Sequence, residues 1–478
     1  MNATMPNFWL ISPELLLLAM GCVTLVVVAV GKDRSRINAF GLSVATLVGA
    51  LILTLFQFGH GSRTTFSGMF VNDRLSNLLD VVIYLLGIAC FVYARDYLRE
   101  RSLLKGEFFV LGLFAILGMM VMNSAYSLLI VYLGFELMSL SLYALVAFHR
   151  DNANASEAAM KYFVLGAIAS GMLLYGMSML YGAAGTLNLA ELGKYSSGSP
   201  DNVIVLVFGT VFVLVGLAFK IGAVPFHMWL PDVYDGAPAP VTALIGSVSK
   251  IAAFTLFIRL LVDGLQAIHV DWGQMLIAVS VLSLFIGNLF AIAQTNIKRM
   301  LGYSTIAHVG FILLGVAVAN GSGYSAATFY TIIYTVMATA AFAMVIFLSR
   351  GSNEEADQLD DFKGLNQRHP WFAFMMLLVM FSMAGVPPTV GFYAKLVIVS
   401  ALLNVGLTGV AVFAVIMSVI GAFYYLRVVK LMYFDAPQTE TRVSTSWDFQ
   451  AVLSVNGLAL LVLGIFPNLL MHLVVHIA

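Results

Sequence analysis

Long apolar runs separated by short polar breaks repeat along the whole chain. They lie near residues 10–30, 38–58, 76–95, 108–122, 125–148, 157–182, 203–230, 238–262, 273–292, 299–318, 325–349, 372–403, 407–434 and 449–472. A helix needs about 20 apolar residues to cross about 30 Å of hydrocarbon. The pattern therefore predicts an all-α polytopic membrane protein with about fourteen transmembrane helices. The fourth run is short, and its boundary with the fifth at Asn123-Ser124 is the least distinct. Ser12-Pro13-Glu14 precedes the first run and reads as a helix start. The longest polar stretch, Arg350 to Pro370, is shorter than a linker between domains, so residues 1–478 form a single integral membrane domain.

Lysine and arginine positions orient the helices. Lys32, Arg34, Arg36, Arg95, Arg99, Arg101, Lys105, Arg150, Lys298, Arg299, Arg350, Lys363, Arg368, Arg427, Lys430 and Arg442 fall in loops after odd-numbered helices. Only Arg63, Arg74, Lys194 and Arg259 fall on the opposite side. The odd loops then face the cytoplasm and both termini face outward. Of the 24 Lys and Arg residues, this sorting leaves Lys161, Lys220, Lys250 and Lys395 inside the membrane. The first run follows no positive segment and ends in no clear cleavage site, so it reads as an uncleaved first span.

Composition narrows the function classes. The chain is 61% hydrophobic and 10% charged, against about 25% charged in soluble domains. Net charge is zero, and no basic block suggests nucleic acid. Cys22 and Cys90 are the only cysteines, with no CxxC pair and no metal-ligand spacing. No GxGxxG follows a strand signal. The chain itself is expected to bind no metal and no cofactor.

The chemistry is concentrated in GLAFKIGAVPFHMWLPDVYDGAPAPVTALIGSVSKIAAF, residues 216–254. A charge at the bilayer centre costs about 2.5–3.5 kcal/mol on insertion scales. Lys220 and Lys250 each stand more than two turns from either end of their apolar runs, which argues against snorkelling. Pro225 and Pro387-Pro388 should break their helices, because proline lacks a backbone donor and clashes with the preceding turn. Unwound backbone at that depth is tolerated only inside protein or beside a wet cavity. A packing kink is the competing reading, but a lysine accompanies both breaks: Lys220 before the first, Lys395 after the second. Glu136 is the only carboxylate near the middle of a long run. At about 6 Å and an effective dielectric near 20, it would act on a lysine by roughly 3 kcal/mol. The alternative is a protonated glutamate making one structural hydrogen bond. Lys161 lies about a turn inside its run, where snorkelling and proton transfer both fit. His227 borders the first break and His308 lies inside a helix; neutral imidazole relays protons, although buried histidines often only pack. Glu14 and Asp80 lie near helix starts, where the dipole favours carboxylates.

The motifs FKIGAVPFH and GVPPTVGFYAK echo one another five helices apart, in helices of opposite direction. This is the signature of inverted repeats. The two units are helices four to eight (107–262) and nine to thirteen (273–434), flanked by 1–106 and 449–478.

These segments, together with IGNLFAIAQTNIKRMLGYSTIAHVGF, resemble the antiporter-like membrane subunits of proton-pumping NADH–quinone oxidoreductase, respiratory complex I. Relatives occur in Mrp-type Na⁺/H⁺ antiporters and membrane-bound hydrogenases. The resemblance spans helices four to thirteen. It implies that Glu136 pairs with Lys220, that Lys250 is the central lysine of a hydrophilic axis, and that Lys395 leads to the outer half-channel. Some members carry glutamate where Lys395 stands. His227 and His308 match polar positions on the water chain, and Lys161 matches a lysine near the side of uptake. It also implies a hetero-oligomer in the bacterial inner membrane, with NADH, FMN, iron–sulfur clusters and quinone handled by partner subunits. An Mrp-type antiporter subunit is the alternative; a purely structural spacer fits poorly with four buried lysines.

The charge sorting is testable. Alkaline phosphatase fused at the C-terminus should be active, and the same reporter inserted after Gly364 should be inactive. The opposite pattern would invert the topology.

Overall fold

The computed structural model describes residues 5–31, 35–59, 61–198, 202–350, 355–437 and 443–475. Lys32, Arg34 and Arg442, and the side chain of Arg36, lie outside the described residues. The helices are α1 (Ser12–Val30), α2 (Ser35–Gln57), α3 (Arg74–Glu100), α4 (Gly106–Asn123), α5 (Leu128–Val146), α6 (Ala153–Ala184), α7 (Leu189–Ser197), α8 (Val203–Ile221), α9 (Trp229–Gly236) and α10 (Ala239–Gly246). They continue as α11 (Val248–Phe257), α12 (His269–Ala293), α13 (Ile297–Ala317), α14 (Gly321–Leu348), α15 (Leu365–Arg368), α16 (Pro370–Ala384), α17 (Val390–Asn404), α18 (Thr408–Phe434), α19 (Trp447–Ile465) and α20 (Asn468–Val475). A short hairpin, β1 (Arg63–Thr65) and β2 (Phe70–Asn72), links α2 to α3.

Among the described residues, 13 helical segments are long and apolar enough to cross a membrane, with α10 and α11 counted as one. The shorter α16 and α17 together supply the remaining crossing, in agreement with the periodicity. α10, α11, α13 and α14 are almost wholly buried, whereas α1, α2, α6, α12, α18 and α19 present apolar faces outward. Small residues allow the close approaches expected where lipid offers no hydrophobic drive between helices. A Cβ added at Gly118 would lie 2.5 Å from the Met138 nitrogen, so α4 and α5 pack nearly backbone to backbone.

Three crossings are interrupted, and the breaks differ in detail from expectation. α8 ends at Gly222, three residues before Pro225, and α16 ends at Gly385, two residues before Pro387. Both glycines are left-handed, at φ +89° and +85°, a conformation cheap only for glycine. Each closes its helix in the same way. Ala223 N–H donates to the Ala218 carbonyl at 2.7 Å, and Val386 N–H to the Phe381 carbonyl at 2.9 Å. The prolines hold the chain out of helix once glycine has ended it. The third break, at Ser247 (φ −118°, ψ −81°) between α10 and α11, has no proline and was not expected from the pattern. A further difference is α7, a short amphipathic helix where a loop was expected.

Residues sorted to one side by charge also meet in space. Arg95 pairs with Asp448, Arg350 with Glu100 and Asp96, Lys298 with Glu355, and Arg299 with Asp232. On the opposite face Arg259, 3% exposed, grips Asp73 through two bonds of 2.8 and 2.9 Å and reaches Asp263 at 3.1 Å. Its Nε donates to the Asn123 carbonyl at 3.0 Å, tying the end of α4 to the π-helical turn Ile258–Asp263. Burial works against an ionised Asp73, but Arg259 and the α3 N-terminus hold it below the usual carboxylate range.

Arg259→Met should strand two carboxylates and cost about 3–5 kcal/mol, read as a lower melting temperature of the purified assembly. Because the folded Asp73 has the depressed pKa, its contribution is complete above the ordinary carboxylate pKa. It fades as pH falls towards the folded value. Acidification should therefore lower the melting temperature of wild type more than that of Arg259→Met; equal acid sensitivity would contradict the assignment.

Candidate functional site

The broken helices leave backbone carbonyls unpaired in the middle of the bundle, and lysines occupy them. Lys250, 1% exposed, is the third residue of α11, immediately past the Ser247 break. Its Nζ donates to the Ile221 carbonyl at 3.0 Å and lies 3.5 Å from the Lys220 carbonyl. It also sits over the Trp229 ring at 5.1 Å. Lys395, on α17, donates to the Ala384 carbonyl at 2.8 Å, the Met383 carbonyl at 3.0 Å and Ser418 Oγ at 2.9 Å. In both cases a cation meets the negative end of a helix.

Lys220 is in the last turn of α8, not deep within a helix as its position in the apolar run suggested. The run continues past Gly222, but the helix does not. Lys220 is 3% exposed, and its Nζ donates to Ser139 Oγ at 2.7 Å, beside the Phe135 and Tyr162 rings. Glu136 is half-buried one turn earlier on α5 and accepts from the Ser170 hydroxyl. Ser170 also lies 3.2 Å from Tyr132 Oη. Lys220 and Glu136 thus hold adjacent serines rather than each other.

His308 is buried on α13. Its Nδ1 lies 2.8 Å from Tyr330 Oη and its Nε2 lies 3.0 Å from Tyr425 Oη. Tyr425 Oη is 2.5 Å from Ser304 Oγ. His308, Phe311, Lys395, Ser418 and Tyr425 line one small cavity. On the other side, Tyr334 Oη lies 2.9 Å from both the Gly246 carbonyl and Thr305 Oγ1, with one proton to donate between them, and its ring is 5.2 Å from that of His308. Gly246 ends α10 at the break before Lys250. Buried polar groups thus form a row from Lys220 and Lys250 past Tyr334 and His308 to Lys395, which hydrogen bonds among the described residues do not join end to end.

Two candidates lie off this line. His227 is half-buried in the connection between α8 and α9, and its Nδ1 has no hydrogen-bond partner among the described residues. Lys161 has a side chain 43% exposed and bonds Asp232 and Glu157, each at 2.9 Å. It lines an open polar cleft with Asp232, Asp235, Lys298, Arg299 and Glu355. Burial disfavours the Asp232 carboxylate, but Lys161 and Arg299 hold it below the usual range. Among the described residues no group of His, Cys, Asp and Glu could hold a metal ion.

Residues 125–421 match the family model described as NADH:quinone oxidoreductase/Mrp antiporter, TM. NADH-quinone oxidoreductase subunit N of Thioalkalivibrio sulfidiphilus is 57% identical over 475 residues, covering 99% of this chain and 98% of the relative. Subunit N of Thiobacillus denitrificans is 55% identical over 464 residues, 97% of this chain and 96% of the relative. The chain belongs to the NADH-quinone oxidoreductase subunit N family. A chain of respiratory complex I from Thermus thermophilus with bound aureothin superposes with a TM-score of 0.84 at 29% identity, covering 96% of this chain and 98% of that one. A chain of the Mrp complex from Dietzia sp. superposes with a TM-score of 0.86 at 22% identity, covering 98% of this chain and 96% of that one; this likeness is one of fold.

In this member of the subunit N family, the hydroxyls that join the charged residues escaped the sequence reading: Ser139, Ser170, Thr305, Tyr330, Tyr334 and Tyr425. A signal was present. Tyr330 and Tyr334 stand one turn apart on α14, as do Ser304 and His308 on α13, and one helical face presents each pair. Serine, threonine and tyrosine are common enough in apolar helices that only contact singles these out.

Lys250→Met should leave the Ile221 carbonyl unpaired and destabilise the protein by about 1–3 kcal/mol. Thermal unfolding of the purified assembly measures this; an unchanged transition would mean that the amine does not carry that carbonyl.

Proposed function

We propose that this chain is a proton-translocating membrane subunit of an NADH–quinone oxidoreductase, working as part of a hetero-oligomer in the bacterial inner membrane. Protons move from cytoplasm to periplasm along Lys220, Lys250, His308 and Lys395, with Glu136 setting the charge at the Lys220 end. Lys161 and His227 serve on the side of uptake. NADH oxidation and quinone reduction occur in partner subunits that hold the FMN and iron–sulfur clusters. This chain carries no redox centre, and its part is electrostatic.

The observation that carries this reading is the pair of lysines on broken-helix carbonyls, Lys250 on Ile221 and Lys395 on Ala384, with Tyr334, His308 and Tyr425 between them. Among the described residues, each amine has neutral partners and no carboxylate in contact. Its charge is then easily changed by its neighbours, and the set titrates as one unit. A shift in the Glu136 and Lys220 environment changes the field at Lys250, whose amine rests on the end of the helix that carries Lys220. Two charges about 6 Å apart at a dielectric near 20 interact by roughly 3 kcal/mol. Moving one proton against 100 mV takes about 2.3 kcal/mol. Displacing one charge is thus enough, in magnitude, to move the next.

The same arrangement supports two inverted repeats, 107–262 and 273–434, each ending one helix at a left-handed glycine and placing a lysine on the exposed carbonyls. The flanks, 1–106 and 449–478, pack outside them. Both termini face the periplasm in this reading. Identity of 57% over nearly the whole chain to a subunit N protein favours a respiratory complex over an Mrp antiporter.

Lys220→Ala and Lys250→Ala should each reduce NADH-driven proton pumping in reconstituted vesicles while the assembly stays intact. Full pumping by an assembled Lys250→Ala complex would refute the central role of that residue. Lys395→Glu asks whether the outer site needs a titratable group or a positive charge: retained pumping means the former.

A further inference from the structure

Lys220, Lys250 and Lys395 each lie over an aromatic ring, and no other lysine among the described residues does. Lys220 Nζ is 5.1 Å from the centre of the Phe135 ring and 5.8 Å from that of Tyr162. Lys250 Nζ is 5.1 Å from the centre of Trp229, and Lys395 Nζ is 5.5 Å from that of Phe311. An ammonium within about 6 Å of a ring centre is drawn to the negative face of the ring, most strongly for tryptophan. Two of these rings stack on a tyrosine: Trp229 on Tyr162 at 4.5 Å and 12°, and Phe311 on Tyr330 at 5.6 Å and 13°.

Lys250 depends on its ring the most. An ammonium has three N–H donors. Lys395 meets two carbonyls and a hydroxyl at 2.8–3.0 Å, whereas Lys250 meets one carbonyl at 3.0 Å and a second only at 3.5 Å. The Trp229 ring is its third neutral partner. Trp229 is buried, and its Nε1 donates to the Phe219 carbonyl at 2.9 Å. That bond ties the indole to the end of α8, the same end whose Ile221 carbonyl holds Lys250. Leucine would fill the space but offer the amine no negative face. The elements packed against α11 carry further titratable groups: Lys220 on α8, Tyr334 on α14, Asp80 and Cys90 on α3, and Arg259 and Asp263 beyond its end. None of these side chains bonds the Lys250 amine among the described residues.

Building on the proton-translocation reading, we propose that Trp229 is a positioning residue that sets how firmly Lys250 holds its proton, because its ring face stabilises the ammonium over the neutral amine. When Lys250 passes a proton on, one N–H bond breaks and the attraction to the ring is lost. When the next proton arrives, one N–H bond forms and the attraction returns. The ring thus favours reloading of Lys250 without a carboxylate beside it.

The test uses intact complex reconstituted in vesicles, with protons moved per NADH read across pH. Trp229→Leu should move the alkaline limb of that profile down by about one pH unit, since an ammonium without its ring gives up its proton at lower pH. Trp229→Phe keeps a ring but loses the bond to Phe219, and should move the limb by less. Mono-, di- and trifluorinated tryptophan placed at position 229 keep the shape and the N–H while draining charge from the ring face. The limb should move down with each added fluorine, and this series decides the matter if Trp229→Leu fails to assemble. Fluorinated complexes with the wild-type profile would overturn the proposal. Equal shifts for Trp229→Phe and Trp229→Leu would also overturn it, because the lost indole bond would then be the cause. Lys250→Ala separates the two levels: full pumping by that complex would sink the translocation reading, whereas reduced pumping with an unmoved fluorinated series would sink only the role of the ring.

Discussion

A helix that stops inside a membrane leaves carbonyls with no water to take, and nearly everything at the centre of this protein answers that constraint. Gly222 and Gly385 end α8 and α16 in left-handed turns, and the last carbonyls of each face inward. Lys250 and Lys395 fill the vacancies. The arrangement works in both directions. The amines satisfy backbone that would otherwise be costly to bury, and the helix ends give the amines a partner without a full negative charge. A carboxylate in direct contact would hold each proton firmly; a carbonyl holds it loosely enough for neighbouring charge to matter.

Around that centre the bundle is graded. At the two faces several charged side chains form ion pairs, such as Arg259 with Asp73 and Lys298 with Glu355. In the interior, hydroxyls do the connecting, and each charged group touches neutral partners: Lys220 meets Ser139, Glu136 meets Ser170, and His308 meets Tyr330 and Tyr425. Charged groups at the rims thus meet opposite charges, whereas those in the middle meet neutral partners.

Much of this was legible from residue pattern. The fourteen crossings followed from run length, because hydrocarbon thickness sets a minimum. Lys220, Lys250 and Lys395 stood out because other Lys and Arg fell into loop sets, and all three are buried or bonded inside the bundle; Lys161, singled out with them, lies in an open cleft paired with Asp232 and Glu157. The breaks in α8 and α16 were located to within three residues by their prolines. The break before Lys250 was not, since Ser247 bears no mark that distinguishes it from other serines in apolar helices. Depth in an apolar run also misled for Lys220: hydropathy continues through Gly222, but the hydrogen-bond ladder ends there.

What the chain settles by itself is what each segment must do in a bilayer: span it, which end carries charge, and which side chains are too costly to be there by accident. Those follow from solvation, which each residue meets regardless of its neighbours. Who touches whom is another matter. Lys250 reaches Ile221 across 29 residues and His308 reaches Tyr425 across 117. Pairings at such separation depend on how broken helices cross, and short-range periodicity carries no record of that. Only the packed bundle decides that a serine, a tyrosine and a glycine carbonyl lie between two lysines.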